Sequence, residues 1–171
     1  MRILSSIVII AVIVTVVGCA GYRLGTVNGE VAGTKTVQIT PFSNETLEPR
    51  LTDAVTTALR RRLQQDGTYR LSTHGDADIV LTGSITKYTR GEISLNPEDT
   101  LTVRDYRITI TAMVTARSRS TGQLLFSEPV SGYTTARVGT DMVSAERQAL
   151  PLLADELSKK AVSLLAEGKW W

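Results

Sequence analysis

The chain has 171 residues, with 19 Lys and Arg against 17 Asp and Glu for a formal charge of +2, one histidine and one cysteine. Charge so near balance excludes the strongly basic stripe that nucleic-acid binding needs, and a single thiol excludes a disulfide within the chain. No His or Cys pair stands at metal-ligand spacing, and no glycine-rich phosphate loop follows a strand.

The first element is a leader. Met1-Arg2 is followed by an apolar run over residues 3–17, broken only by Ser5, Ser6 and Thr15, which closes on Val16-Val17-Gly18-Cys19. A positive end, an apolar stretch and a small residue before the break are the layout of a secretory signal. The run is shorter than the roughly 20 apolar residues of a membrane-spanning helix, so cleavage is expected over retention as an anchor. The apolar, apolar, small, Cys order resembles the bacterial lipobox, in which the cysteine is acylated and becomes the first mature residue. The alternative is an ordinary signal peptide that happens to contain a cysteine. Residues 1–18 are thus expected to be a lipoprotein signal peptide and Cys19 the lipidation site. Residues 19–34, glycine-rich and weakly periodic, read as a tether. Residues 35–171 read as one domain of ordinary size.

Residues 35–42 are β-branched and predict a strand closing at Pro41. Ser43-Asn44-Glu45-Thr46-Leu47-Glu48-Pro49 predicts a turn with Thr46 as the helix N-cap and Pro49 in the first turn. Leu51, Ala54, Val55, Ala58, Leu59 and Leu63 keep helical spacing, and Asp66-Gly67 stops the helix. A short strand over 69–72 and a turn at His74-Gly75-Asp76 lead into a strand over 77–90. There Ile79, Leu81, Gly83 and Ile85 alternate with Val80, Thr82, Ser84, Thr86 and Tyr88. Residues 91–102, with Asn96-Pro97, read as a loop, or as an extension of the hairpin because Ile93 and Leu95 still alternate. Residues 103–119 form the longest predicted strand, with Tyr106, Ile108, Ile110, Ala112, Val114 and Ala116 on one face. A tight turn over 118–122 gives an antiparallel strand over 123–138, where Pro129 marks an edge or a bulge. A helix over 142–167 follows, in which Pro151 makes a kink or marks the true start, and Gly168 ends it. Lys169-Trp170-Trp171 ends the chain; the two tryptophans suit a membrane interface, a partner's pocket or the domain's own core.

This order predicts an α+β fold: a mixed, largely antiparallel four- to five-stranded sheet with two helices packed on one face, an α/β sandwich. The other sheet face is left polar. An enzyme is not expected, since the lone His74 lies in a turn and the acids Asp76, Asp78, Glu98 and Asp99 suit turns and solvation. No cofactor and no metal are expected. Lys87, Arg90, Arg104, Arg107, Arg117 and Arg119 lie at strand ends, where arginine suits a phosphate or carboxylate. The alternative for each is ordinary solubilising charge.

The run Cys19-Ala20-Gly21-Tyr22-Arg23-Leu24, then Val37-Gln38-Ile39-Thr40-Pro41-Phe42-Ser43-Asn44-Glu45-Thr46, Leu51-Thr52-Asp53-Ala54 and Ala77-Asp78-Ile79-Val80-Leu81-Thr82-Gly83-Ser84-Ile85, resembles the lipopolysaccharide-assembly lipoprotein family LptE. The resemblance implies an outer-membrane lipoprotein, membrane-bound through its lipid, that plugs the β-barrel protein LptD, helps it assemble and binds lipopolysaccharide. Under it the six basic residues become lipopolysaccharide contacts, and Ala20 after the cysteine implies sorting to the outer membrane. Similar Pro-Phe-x-Asn and Ala-Asp stretches occur in activators of periplasmic cell-wall synthases resembling LpoB and in secretion-channel lipoproteins resembling CsgG, which are the alternative reading.

Overall fold

A computed structural model of the chain describes residues 31–96, 99–137 and 141–168. Its elements are β1 (Thr36–Ile39), β2 (Ser43–Asn44), α1 (Leu51–Asp66), β3 (Arg70–Leu71), β4 (Ile79–Asn96), β5 (Asp99–Ser118), β6 (Leu124–Arg137) and α2 (Met142–Glu167). The leader, Cys19, Glu98, Pro97, Val138 and the terminal tryptophans lie outside the described residues.

The strands form one sheet in the order β3-β1-β4-β5-β6, with β2 also beside β4. β1 runs parallel to β3 and β4, and β2 parallel to β4; β4, β5 and β6 form an antiparallel meander. Both helices lie on one face, as the alternation predicts. That face carries Ile79, Leu81 and Ile85 from β4 and Ile108, Ile110, Ala112, Val114 and Ala116 from β5, all buried. Leu51, Val55, Leu59 and Leu63 of α1 and Leu153, Leu157, Ala161 and Leu165 of α2 close the core over them. Each fully buried Leu or Ile contributes about 1.5–3 kcal/mol, so this core is the largest favourable contribution to the domain's stability. The sixth strand, absent from the expected count, is the two-residue β2.

Four local expectations are corrected or narrowed. Thr46 does not cap α1: Arg50 is the N-cap residue and gives no side-chain hydrogen bond. The Thr46 hydroxyl is instead spent in the turn, donating to Asn44 Oδ1 (2.8 Å) and accepting from the Glu48 N–H (3.3 Å). Of the two readings of residues 91–102, the extended hairpin holds over the loop for the described ones: β4 and β5 stay paired out to Asn96 and Asp99, with register shifts near Glu92, Ser94 and Leu95. Tyr88 is not on the open face. Ile85 pairs with Ala112 but Lys87 with Thr111, so Thr86 is an extra residue, and beyond it Tyr88 faces the helices opposite Ile110 while Lys87 faces away. Of the two readings of Pro151, the true start is excluded, since the proline lies inside α2.

Other expectations stand. Gly67, at φ 75°, ends α1 and donates to the Leu63 carbonyl. Pro129 lies on the edge strand β6 in unbroken register with Met113, so it is an edge residue without a bulge. Asp141 caps α2, its carboxylate accepting from the Ser144 N–H at 2.7 Å. α2 crosses β6 at Gly132, where a Cβ would lie 2.6 Å from the Leu157 nitrogen.

Candidate functional site

Two of the stretches that carry the family resemblance lock to each other. Phe42 is 1% exposed and its ring lies against Gly83, where a Cβ would come within 2.3 Å of Phe42 Cε2. Asp78 Oδ2 accepts from the Thr36 N–H (2.8 Å) and hydroxyl (2.7 Å), clamping the start of β4 to the start of β1. These bonds, the main-chain one first, hold the Asp78 carboxyl below its ordinary pKa. Asn44 ties the intervening turn, accepting from the Thr46 N–H (3.0 Å) and donating to the Glu48 carbonyl (2.7 Å). The recognisable residues therefore build the sheet's parallel half. Of the Ala77–Ile85 stretch, Val80, Thr82 and Ser84 alternate onto the open face opposite Arg117, Thr115 and Met113.

That face, formed by β4, β5 and β6, has no element over it among the described residues. It is lined by hydroxyls: Thr111 and Ser131 face each other at 2.9 Å, and Thr115 and Ser127 at 2.8 Å. Thr82 and Thr86 donate to the carbonyls of Thr115 and Thr111. A neutral, mutually bonded surface of this kind is readily wetted and offers little apolar area to a dry interface. Met113 and Tyr133 are exposed large apolar side chains on it.

The six basic residues separate into two ends. Lys87 lies on the open face opposite Thr111, and Arg107 lies on it opposite Gly91. Arg104 is exposed near them. Arg90 is turned to the helix side by the extra residue at Thr86; it pairs with Glu146 of α2 and lies 5.6 Å from the Tyr88 ring. Tyr88 donates to Glu146 Oε1 (3.2 Å), and burial first, then the Glu146 charge, raises its phenol pKa. Arg117 and Arg119 stand at the opposite end. Arg117 bonds the Gly122 carbonyl (3.5 Å) and Arg119 bonds Gln38 Oε1 (2.8 Å). Ten residues of strand separate Arg107 from Arg117, about 33 Å, so the six do not converge on one site.

Two more cations join the first group: Lys160, which the sequence reading misses, and Arg137, which it places nearer Arg117 and Arg119 or on the open face and which the pairing with Asp105 puts at this end. Arg107 lies 5.2 Å and Lys160 of α2 5.9 Å from the Tyr133 ring, and Arg137 pairs with Asp105 at 3.0 Å. The Ser94 hydroxyl first, then Arg137, lowers the Asp105 pKa. Lys160 is 29 residues from its partner Ser131, and no local pattern shows that approach. On the loop side, Glu45, Leu47, Glu48, Lys87 and Arg90 line a cleft of about 590 Å³, with Leu47 fully exposed at its rim.

Among the described residues no group of three His, Cys, Asp or Glu stands where it would hold a metal, and no helix is long and apolar enough to cross a membrane. His74 is exposed beside Thr73.

A search of curated proteins finds no match. Solved structures with similar folds include hypothetical protein CT253 from Chlamydia trachomatis, 14% identical, covering 80% of this chain and 97% of that one, with a TM-score of 0.57. Protein XCC0632 from Xanthomonas campestris is 10% identical over 78% and 85% of the two chains, with a TM-score of 0.61. A minor lipoprotein from Acinetobacter baumannii is 15% identical over 77% and 92%, with a TM-score of 0.51. At these identities they establish the shared fold. The family model described as "LptE: Lipopolysaccharide-assembly" matches residues 34–165, from the start of the sheet almost to the end of α2, and the chain therefore belongs to the LptE family.

Proposed function

We propose that the protein is an outer-membrane lipoprotein, acylated at Cys19 after removal of residues 1–18 and tethered through residues 19–34. Its domain, residues 35–171, seats in the lumen of the LptD β-barrel, assists that barrel's assembly and binds lipopolysaccharide in transit. The observation that carries this reading, beside the family match, is the uncovered hydroxyl-lined face of three long strands. A barrel lumen is polar and water-filled, and such a face offers it hydroxyls that water can bridge. The contact needs no catalytic group.

Within this reading Lys87, Arg104 and Arg107 carry the lipid phosphates at one end, with Arg117 and Arg119 a separate contact at the other. Arg90 is held by Glu146 and serves the fold first. Isolation of the tagged protein from outer membranes is expected to recover a large barrel protein. Recovery of a cell-wall synthase or a secretion channel in its place would favour the LpoB-like or CsgG-like alternative. Labelling with palmitate is expected for the wild type and lost in Cys19→Ala. Arg104→Glu with Arg107→Glu is expected to weaken lipopolysaccharide capture about tenfold; unchanged capture removes those two residues from the site.

A further inference from the structure

The free edge of β6 is unevenly protected. Side chains of Thr111 and Ser131, and of Thr115 and Ser127, meet closely, which marks these as the pairs that exchange no main-chain bonds. Consistent with this, the Thr111 and Thr115 carbonyls point to β4, where Thr86 and Thr82 donate to them. The main-chain groups of Ser127, Pro129, Ser131, Tyr133, Thr135 and Arg137 therefore point outward, away from β5. In the first half this edge is blunted. Pro129 has no N–H to offer, and Lys160 Nζ donates to the Ser131 carbonyl at 2.7 Å. From Tyr133 to Arg137 neither device is present: the outward N–H and C=O groups of Tyr133 and Thr135 meet no partner among the described residues, and both residues are exposed.

We propose that this half of the β6 edge is a strand-addition site for an extended, acidic segment of a protein partner. Main-chain bonds from an added strand would satisfy the outward groups of Tyr133, Thr135 and Arg137. Charge selects an acidic strand. Arg107 and Lys160 flank the Tyr133 ring and neither forms an ion pair among the described residues, while Arg137 is 67% exposed despite its contact with Asp105. The Lys160 contact sets the register limit: an added strand stops short of Ser131. The site does not depend on the barrel reading, because it rests on main-chain geometry and local charge.

The test is hydrogen–deuterium exchange of the full chain in mild detergent, followed by mass spectrometry over the segment that holds Tyr133, Thr135 and Arg137. The probe is a capped peptide of alternating glutamate and valine, with its lysine-for-glutamate counterpart as control. The acidic peptide is expected to slow exchange in this segment and leave the segment around Ser127 unchanged. Thr135→Pro, which removes an outward donor that β5 does not use, is expected to weaken the peptide about tenfold. Should that variant lose its circular dichroism spectrum, Arg107→Glu with Lys160→Glu carries the test and is expected to abolish the preference for the acidic peptide. The proposal is overturned by unchanged exchange with the acidic peptide, by equal protection from the lysine peptide, or by protection that grows with protein concentration alone, which would make the occupant a second copy of the chain.

Discussion

Gly83→Ala tests whether the two family stretches are one packing unit. The new Cβ would lie 2.3 Å from Phe42 Cε2, 2.6 Å from Cζ and 2.7 Å from the Met113 carbonyl oxygen. Phe42 is buried, so its ring cannot swing out into solvent, and overpacking of this kind costs about 1–3 kcal/mol. Alanine also narrows the unfolded ensemble, which returns about 0.4–1 kcal/mol where the backbone is compatible. The net loss expected is therefore about 1–2 kcal/mol. Phe42→Ala alone is expected to cost about 3–5 kcal/mol. In the double variant the ring is gone and only the Met113 carbonyl opposes the added methyl, so the pair is expected to be less destabilised than the sum by about 1 kcal/mol. Urea unfolding of the full chain in mild detergent, followed by far-ultraviolet circular dichroism, reads all four corners of the cycle. Strict additivity of the two changes would refute the idea that glycine is required at 83 to seat the ring.

Gly132→Ala is expected to cost more than Gly83→Ala, about 2–3 kcal/mol in the same unfolding assay, because the obstacle is the α2 main chain at Leu157, which cannot rotate away. Ser158→Ala is expected to raise stability by about 1 kcal/mol, since the Ser158 hydroxyl is fully buried with no hydrogen-bond partner among the described residues; a lowered melting temperature counts against this. Asp78 has its pKa depressed in the fold by the Thr36 N–H and hydroxyl. Its contribution is complete above the unfolded pKa of about 3.9 and is lost as pH falls through the lower folded value. Asp78→Asn is accordingly expected to be less stable than wild type at neutral pH and to show a shallower loss of stability below about pH 4, read from unfolding midpoints across a pH series.

Periodicity carried most of the fold. The α2 boundaries follow from its apolar spacing and Gly168, and the buried face of β5 follows from strict alternation between Ile108 and Ala116. What alternation could not show is a change of count. Thr86 adds one residue against β5, and Tyr88 and Arg90 exchange faces without any change in the kind of residue present. The Thr46 cap failed for a related reason: the hydroxyl has two local suitors, and the Asn44 turn wins over the helix end. At the site, the division of the cations between the two ends of the sheet was readable from strand position. The engagement of Arg90 was not, because Glu146 is 56 residues away on α2, and neither was the approach of Lys160 to Tyr133.

The direction of β1 gives the molecule a fixed polarity. Val37 pairs with Ile79 at the first residue of β4, beside the turn that joins β5 to β6, whereas Asn96 lies at the far end of an 18-residue strand, about 60 Å away along the sheet. Whatever holds the chain ahead of β1 therefore holds it at that end of the sheet. The opposite end, with Lys87, Arg107 and the open half of the β6 edge toward it, lies farthest from that hold.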